Sequence, residues 1–173
     1  MEKVVQEVID LLKSKNLKEV FFGSHGFNLA DETSFKDLQL GYSLHPDGSD
    51  LTGSNEGDWY KGWIVIATDT EVGDPFFIDI NKSSMPVYTA MHGMGSWSPE
   101  LVATSLDSFL EVLVYLKSIS NQDFSRIDPD ESTITDENEL QEIEKKLGSL
   151  SGEKDYWQNF IEQHQQWAEE FGS

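Results

Sequence analysis

Residues 62–92 read GWIVIATDTEVGDPFFIDINKSSMPVYTAMH, and no other stretch of the chain limits the fold so tightly. The runs GWIVIAT (62–68) and FFIDI (76–80) are rich in β-branched and aromatic residues and too short to be helices. The segment DTEVGDP between them has the length and the Gly-Asp-Pro chemistry of a hairpin connection. Pro86 opens a third run, PVYTAM, because the first residue of a strand can do without a ladder donor. Connections this short cannot carry a parallel crossover, so consecutive strands must pair antiparallel.

Around this hairpin the pattern is helical at both ends. Val4, Val5, Val8, Ile9 and Leu12 share one face of a helix over 1–16. Phe21 to Asp37 is irregular, LQLGYSL (38–44) alternates as a strand does, and His45-Pro46-Asp47-Gly48 ends it. The polar, glycine-rich residues 48–58 have the composition of an exposed loop, and Gly93-Met94-Gly95 loosens the chain before Trp97. Ser105 caps a helix carrying Leu106, Phe109, Leu110, Leu113 and Leu116 on one face. Two further helices are expected near 136–147, with Leu140, Ile143 and Leu147 aligned, and near 153–171. The latter carries a stripe of Trp157, Phe160, Ile161, His164, Trp167 and Phe171, too aromatic for water, which should pack on the sheet or else serve a partner. The fold class is therefore α+β, a central antiparallel sheet flanked by helices with a C-terminal helical extension. Residues 1–120 form the sheet domain; residues 121–173 form an acidic linker and helices packed on it.

Charge separates this chain from whole classes of function. Its 32 acidic residues outnumber 12 basic ones, for a formal net charge of −20, and half of that excess falls in residues 121–173. Phosphate backbones repel such a surface, so direct nucleic-acid binding is not expected, whereas basic partners are attracted and steered. The apolar pattern of the first helix is interrupted by Glu2, Glu7 and Asp10, which argues against a secretory leader, and no apolar run is long enough for a membrane span. With no cysteine, disulfides and thiolate metal sites are excluded. The expected setting is cytoplasmic, with no cofactor and no membrane.

Catalytic and metal chemistry find few footholds. His25, His45, His92 and His164 lack the i+3 or i+4 histidine partner that a zinc motif uses. Residues 128–139 place oxygen donors in an EF-hand rhythm, but Thr133 stands where the loop needs glycine and Pro129 stiffens its start. A plainer reading makes this an acidic linker in which Asp136 caps a helix with Glu139 three residues on. Asp69, Asp74 and Asp79 around the hairpin could serve a metal-dependent hydrolase, although turns favour Asp74-Pro75 and an alternating strand places Asp79 towards solvent. Ser24-His25 lacks a nucleophile elbow. Aromatic residues beside loops offer a different chemistry. Trp59, Tyr60 and Trp97, with the carboxylates Asp58 and Glu100 next to them, are the candidate partner-binding set; the competing reading is that the rings close the ends of the core.

The order of motifs from Trp63 to Leu113 resembles the SUKH superfamily of bacterial toxin-immunity proteins and fungal cell-wall-synthesis regulators. The resemblance is carried by Trp63 with IVIA, Gly73-Asp74 before Phe76-Phe77-Ile78-Asp79, Pro86-Val87-Tyr88, His92-Gly93, and the helix over 105–113. It implies an α+β fold without enzymatic activity, in which Trp63, Gly73, Asp74, Asp79, Pro86, Val87 and Tyr88 mark the scaffold rather than the recognition surface. For bacterial members it implies neutralisation of a cognate toxin, often a nuclease, by direct binding, which suits an acidic chain. The alternative within the same resemblance is a regulatory interaction scaffold of the cell-wall type.

Overall fold

The computed structural model describes residues 2–91, 95–120 and 128–172. Six strands follow one another across a single antiparallel sheet in chain order: β1 (Glu19–Phe22), β2 (His25–Leu29), β3 (Trp63–Asp69), β4 (Pro75–Asp79), β5 (Val87–Thr89) and β6 (Glu100–Ala103). The helices are α1 (Glu2–Ser14), the one-turn α2 (Phe35–Leu38), α3 (Leu106–Ile119), α4 (Glu137–Ser151) and α5 (Asp155–Phe171). The α+β class with an antiparallel sheet and helical C-terminal part is thus as expected from the sequence. The His92-Gly93 and Gly93-Met94 motifs lie outside the described residues.

Alternation on the strands sends side chains to two different cores. Ile64, Phe76, Ile78 and Val87 face one side, where a large cluster joins them to α1, α3, α4 and α5 through Val8, Phe109, Leu113, Leu147 and Trp157. Trp63, Val65 and Phe77 face the other side, where Tyr42, Trp59 and Ala90 cover them. The sheet is therefore buried on both faces, by helices on one and by the long connection over 30–62 on the other.

Three elements differ from the sequence reading. The run 38–44 is no strand: Leu38 ends α2, and the chain then turns through Gly41, whose φ of 85° an extended strand does not use. Tyr42 and Leu44 both donate their amides to the Gln39 carbonyl, which closes this turn. The segment read as irregular holds the end of β1 and all of β2, joined by the two residues Gly23-Ser24, with Phe22 paired to His25. Gly23 sits at φ 60° in the first central position of this tight hairpin. Finally, ELVA forms β6, a strand too short for its alternation to stand out.

Each flank of the meander takes hydrogen bonds from elsewhere in the chain, which cover part of its edge. On β6, Trp157 Nε1 donates to the Val102 carbonyl at 2.9 Å, and Thr104 donates its amide to Ser151 at the end of α4. On β1, the Ser120 hydroxyl donates to the Phe21 carbonyl. The C-terminal helices are therefore bonded to the sheet as well as packed on it. Of their aromatic stripe, Trp157, Phe160, Ile161, His164 and Trp167 are buried and only Phe171 is exposed. Asp136 caps α4 by accepting the Glu139 amide at 2.8 Å, as its spacing predicts.

Candidate functional site

An acidic groove opens at the end of the sheet where β3 turns into β4. The turn is built by Asp69, whose Oδ1 accepts the amides of Glu71 and Val72, while Gly73 donates to the Asp69 carbonyl from φ 76°. These bonds use turn chemistry local to the hairpin and set Glu71, Val72 and Asp74 along one wall. The opposite walls come from residues 89–91 after β5, from residues 96–100 leading into β6, and from α5. The space between them is about 570 Å³. Phe76, Tyr156 and Phe160 contribute the aromatic part of its lining, with His25 packed at 5.0 Å on the Phe160 ring.

Its electrostatics are one-sided. Asp69, Glu71, Asp74 and Glu100 line the groove, and no lysine or arginine is among the described lining residues. Burial pushes the Glu100 carboxyl above its ordinary range, and Glu153 and Asp155 push it further. The Tyr156 phenol is likewise pushed up, by burial first and then by Asp69, Glu100 and Asp74, so it stays a neutral hydrogen-bond donor. The charge that the described residues bring to the groove is therefore of one sign. Among the described residues, no group of three or more histidine or acidic side chains is arranged to hold a metal ion.

Of the five candidate partner-binding residues, only Glu100 lines this groove. Trp59 is 1% exposed and donates its Nε1 to the Trp63 carbonyl at 2.7 Å; it is a core residue of the second face. Trp97 packs half-buried against Trp59 and Tyr42, at 5.1 and 5.5 Å between ring centroids. Asp58 accepts the Asn55 amide in a local turn. Tyr60 alone keeps an open ring, 53% exposed and lying 4.4 Å from Trp63. Extended backbone sends neighbours to opposite sides, so Trp59 goes in and Tyr60 goes out.

The carboxylate trio considered for hydrolysis is divided. Asp69 and Asp74 share the groove, but Asp79 pairs with Trp63 at the other end of the β3–β4 ladder, about 20 Å along the strand from Asp69. There Asp79 accepts the Asn81 amide in the next turn. Asp74 and Gly73 belong to the groove wall and its turn, so two residues expected to mark only the scaffold also shape the site. Trp63, Val87 and Tyr88 are scaffold: Val87 is fully buried in the large core, and Tyr88 stacks 5.9 Å from Phe77. Pro86 is buried at the entry to β5, its carbonyl accepting the Asp79 amide. In the 128–139 segment, Asp130 accepts the Ser132 amide and hydroxyl while Asp136 caps α4, the work of turn and cap.

The residues that sequence reasoning missed are Glu71, Tyr156 and the apolar Val72 and Met91, which come together only through the fold. No helix among the described residues is long and apolar enough to cross a membrane. No protein-family model, curated protein or solved structure matches this chain.

Proposed function

We propose that this chain is a non-catalytic immunity protein that captures a basic protein partner and neutralises it, the partner being a toxin such as a nuclease. The reading is carried by one observation: a concave, partly aromatic groove that Asp69, Glu71 and Glu100 line with no lysine or arginine among the described lining residues, on a chain of net charge −20. A basic active-site cleft offers the complementary charge, and masking it would stop its activity without any chemistry by the inhibitor. The motif order that resembles the SUKH superfamily supports the same reading. So does the antiparallel sheet flanked by helices, which is the architecture the resemblance implies.

Electrostatic steering gives the proposal a kinetic signature. Association with a basic partner should slow on the order of tenfold or more between 20 and 300 mM salt, while dissociation changes far less. Co-expression with a panel of bacterial nuclease toxin domains should rescue growth for the cognate one, through a stoichiometric complex. Failure of every basic toxin to form a complex, or an association rate indifferent to salt, would remove the reading.

A further inference from the structure

We propose that the groove between the β3–β4 turn, residues 89–91 and α5 is a docking site for a basic, partly apolar segment of a partner protein, with an arginine side chain held among Asp69, Glu71 and Glu100. This deepens the partner-binding reading above and rests on it for the identity of the physiological partner.

Two independent properties meet here. Val72 and Met91, 71% and 64% exposed, are large apolar side chains left in water at a groove that already has Phe76 and Phe160 in its lining. Apolar residues gathered at a concavity mark a surface that is covered when in use. Apolarity alone would admit many occupants; charge decides between them. A neutral apolar segment would strip water from Asp69, Glu71 and Glu100 without pairing them, and an acidic segment or a phosphate would be repelled. A segment that alternates basic and apolar residues covers the lips and pairs the carboxylates together.

Arginine fits the groove better than lysine. Its planar fork carries five donors, so one guanidinium can pair with more than one carboxylate, and it is less strongly hydrated than an ammonium. Tyr156 on α5 lines the same groove, so the guanidinium also has an aromatic neighbour there. At about 570 Å³ the space suits one or two side chains rather than a whole helix.

The test uses the full chain, ¹⁵N-labelled, titrated with an acetylated and amidated Arg-Leu-Arg tripeptide, with the Glu-Leu-Glu and Lys-Leu-Lys tripeptides as comparisons. Saturable amide shifts from Arg-Leu-Arg should concentrate on Glu71, Val72, Met91, Glu100 and Tyr156. Lys-Leu-Lys should bind several-fold more weakly and Glu-Leu-Glu not at all. Glu71→Lys with Glu100→Lys should weaken binding about tenfold or more. Glu7→Lys with Asp10→Lys on α1, which changes the net charge equally but away from the groove, should weaken it less than about twofold. Val72→Ser with Met91→Ser, at exposed positions where folding is not at stake, should weaken it about threefold or more.

Shifts scattered over the acidic surface, or equal losses from the two charge reversals, would overturn the proposal. The two readings fail separately. Tripeptide binding in the groove with no toxin bound keeps the docking site and removes the toxin. A toxin bound equally well by wild type and by the Glu71→Lys, Glu100→Lys protein does the reverse.

Discussion

Replacing Gln39 tests how the second face of the sheet is held. β2 ends at Leu29, and after Ala30 donates to the Ile66 carbonyl the chain leaves the sheet. From Val65 back to Trp63, β3 has no strand on that side. Val65 is fully buried, and its N–H and C=O point the same way, as they do at alternate residues of an antiparallel strand. The Gln39 side chain stands in for the missing strand. Its Oε1 accepts the Val65 amide at 3.0 Å, and its Nε2 donates to the Val65 carbonyl at 2.8 Å and to the Phe35 carbonyl at 3.0 Å. A primary amide is the side chain that offers donor and acceptor together at this reach.

Gln39→Leu keeps the volume and leaves both Val65 groups buried without partners. At about 1–3 kcal/mol for each unpaired group, less what leucine gains by burial, the net loss should be about 1–4 kcal/mol. For a chain of this size that lowers the melting temperature by roughly 3–15 °C. Urea unfolding followed by tryptophan fluorescence measures the loss, and hydrogen exchange at the Val65 amide locates it. Gln39→Glu sharpens the argument. At neutral pH a carboxylate accepts the Val65 amide but repels the two carbonyls. Burial raises its folded pKa above the unfolded value, so this variant should regain stability relative to wild type as pH falls and the protonated acid again donates. A loss under about 1 kcal/mol in Gln39→Leu, with Val65 exchange unchanged, would mean that the strand edge is satisfied by something other than Gln39.

Trp157→Phe should cost about 2–4 kcal/mol in urea unfolding, because the buried Val102 carbonyl loses its donor and the core loses volume. Gly73→Ala should cost about 1 kcal/mol for the positive φ of its backbone, and Gly23→Ala at least as much at the first position of a two-residue hairpin. Gly73 has open space, while a Cβ at Gly23 would lie 2.5 Å from His164 Nδ1, so Gly23→Ala should cost about 1–3 kcal/mol more; equal losses would contradict the packing of α5 on the β1–β2 turn. His164 Nε2 lies 2.8 Å from the Ile134 carbonyl, which only accepts, so the proton sits on Nε2 and buried Nδ1 stays bare and unpaired among the described residues. Burial chiefly, and then His25, lower its pKa, so the unfolded chain takes up a proton first; stability should fall as pH drops below about 6.5 and level off under the folded value, a slope that His164→Leu removes.

What was legible from the sequence, and what was not, follows one physical division. β3, β4, α3 and α5 each advertise themselves within a few residues, the strands by unbroken runs of β-branched and aromatic residues buried on both faces and the helices by an apolar stripe. The β1–β2 hairpin gave a fainter signal: Gly23-Ser24 is adequate turn chemistry, but EVFF and HGFNL are short and the second contains a glycine. Residues 38–44 misled for the opposite reason. LQLGYSL alternates, yet the burial of Leu38 and Tyr42 comes from a turn laid flat over the sheet, and Gly41 at φ 85° was the contrary signal. The turn does not even keep that alternation, since Leu40 is 40% exposed while Gln39 is buried.

The groove belongs to the other side of that division. His25, Glu71, Met91, Glu100 and Tyr156 come from five separate segments, and no spacing along the chain relates them. Only their shared charge was visible beforehand, and as composition rather than position. Sequence therefore showed the sign of the charge before the structure showed which groove it lines. The same limit explains Trp59 and Tyr60, adjacent residues of similar chemistry whose roles part at the backbone. Which of the two faces water depends on Phe77 and Trp63 lying beneath Trp59, 4.7 and 5.3 Å away between ring centroids. That contact is made by strands, not by neighbours in the chain, so residue type at positions 58–60 could nominate a surface but could not say which ring belonged to it.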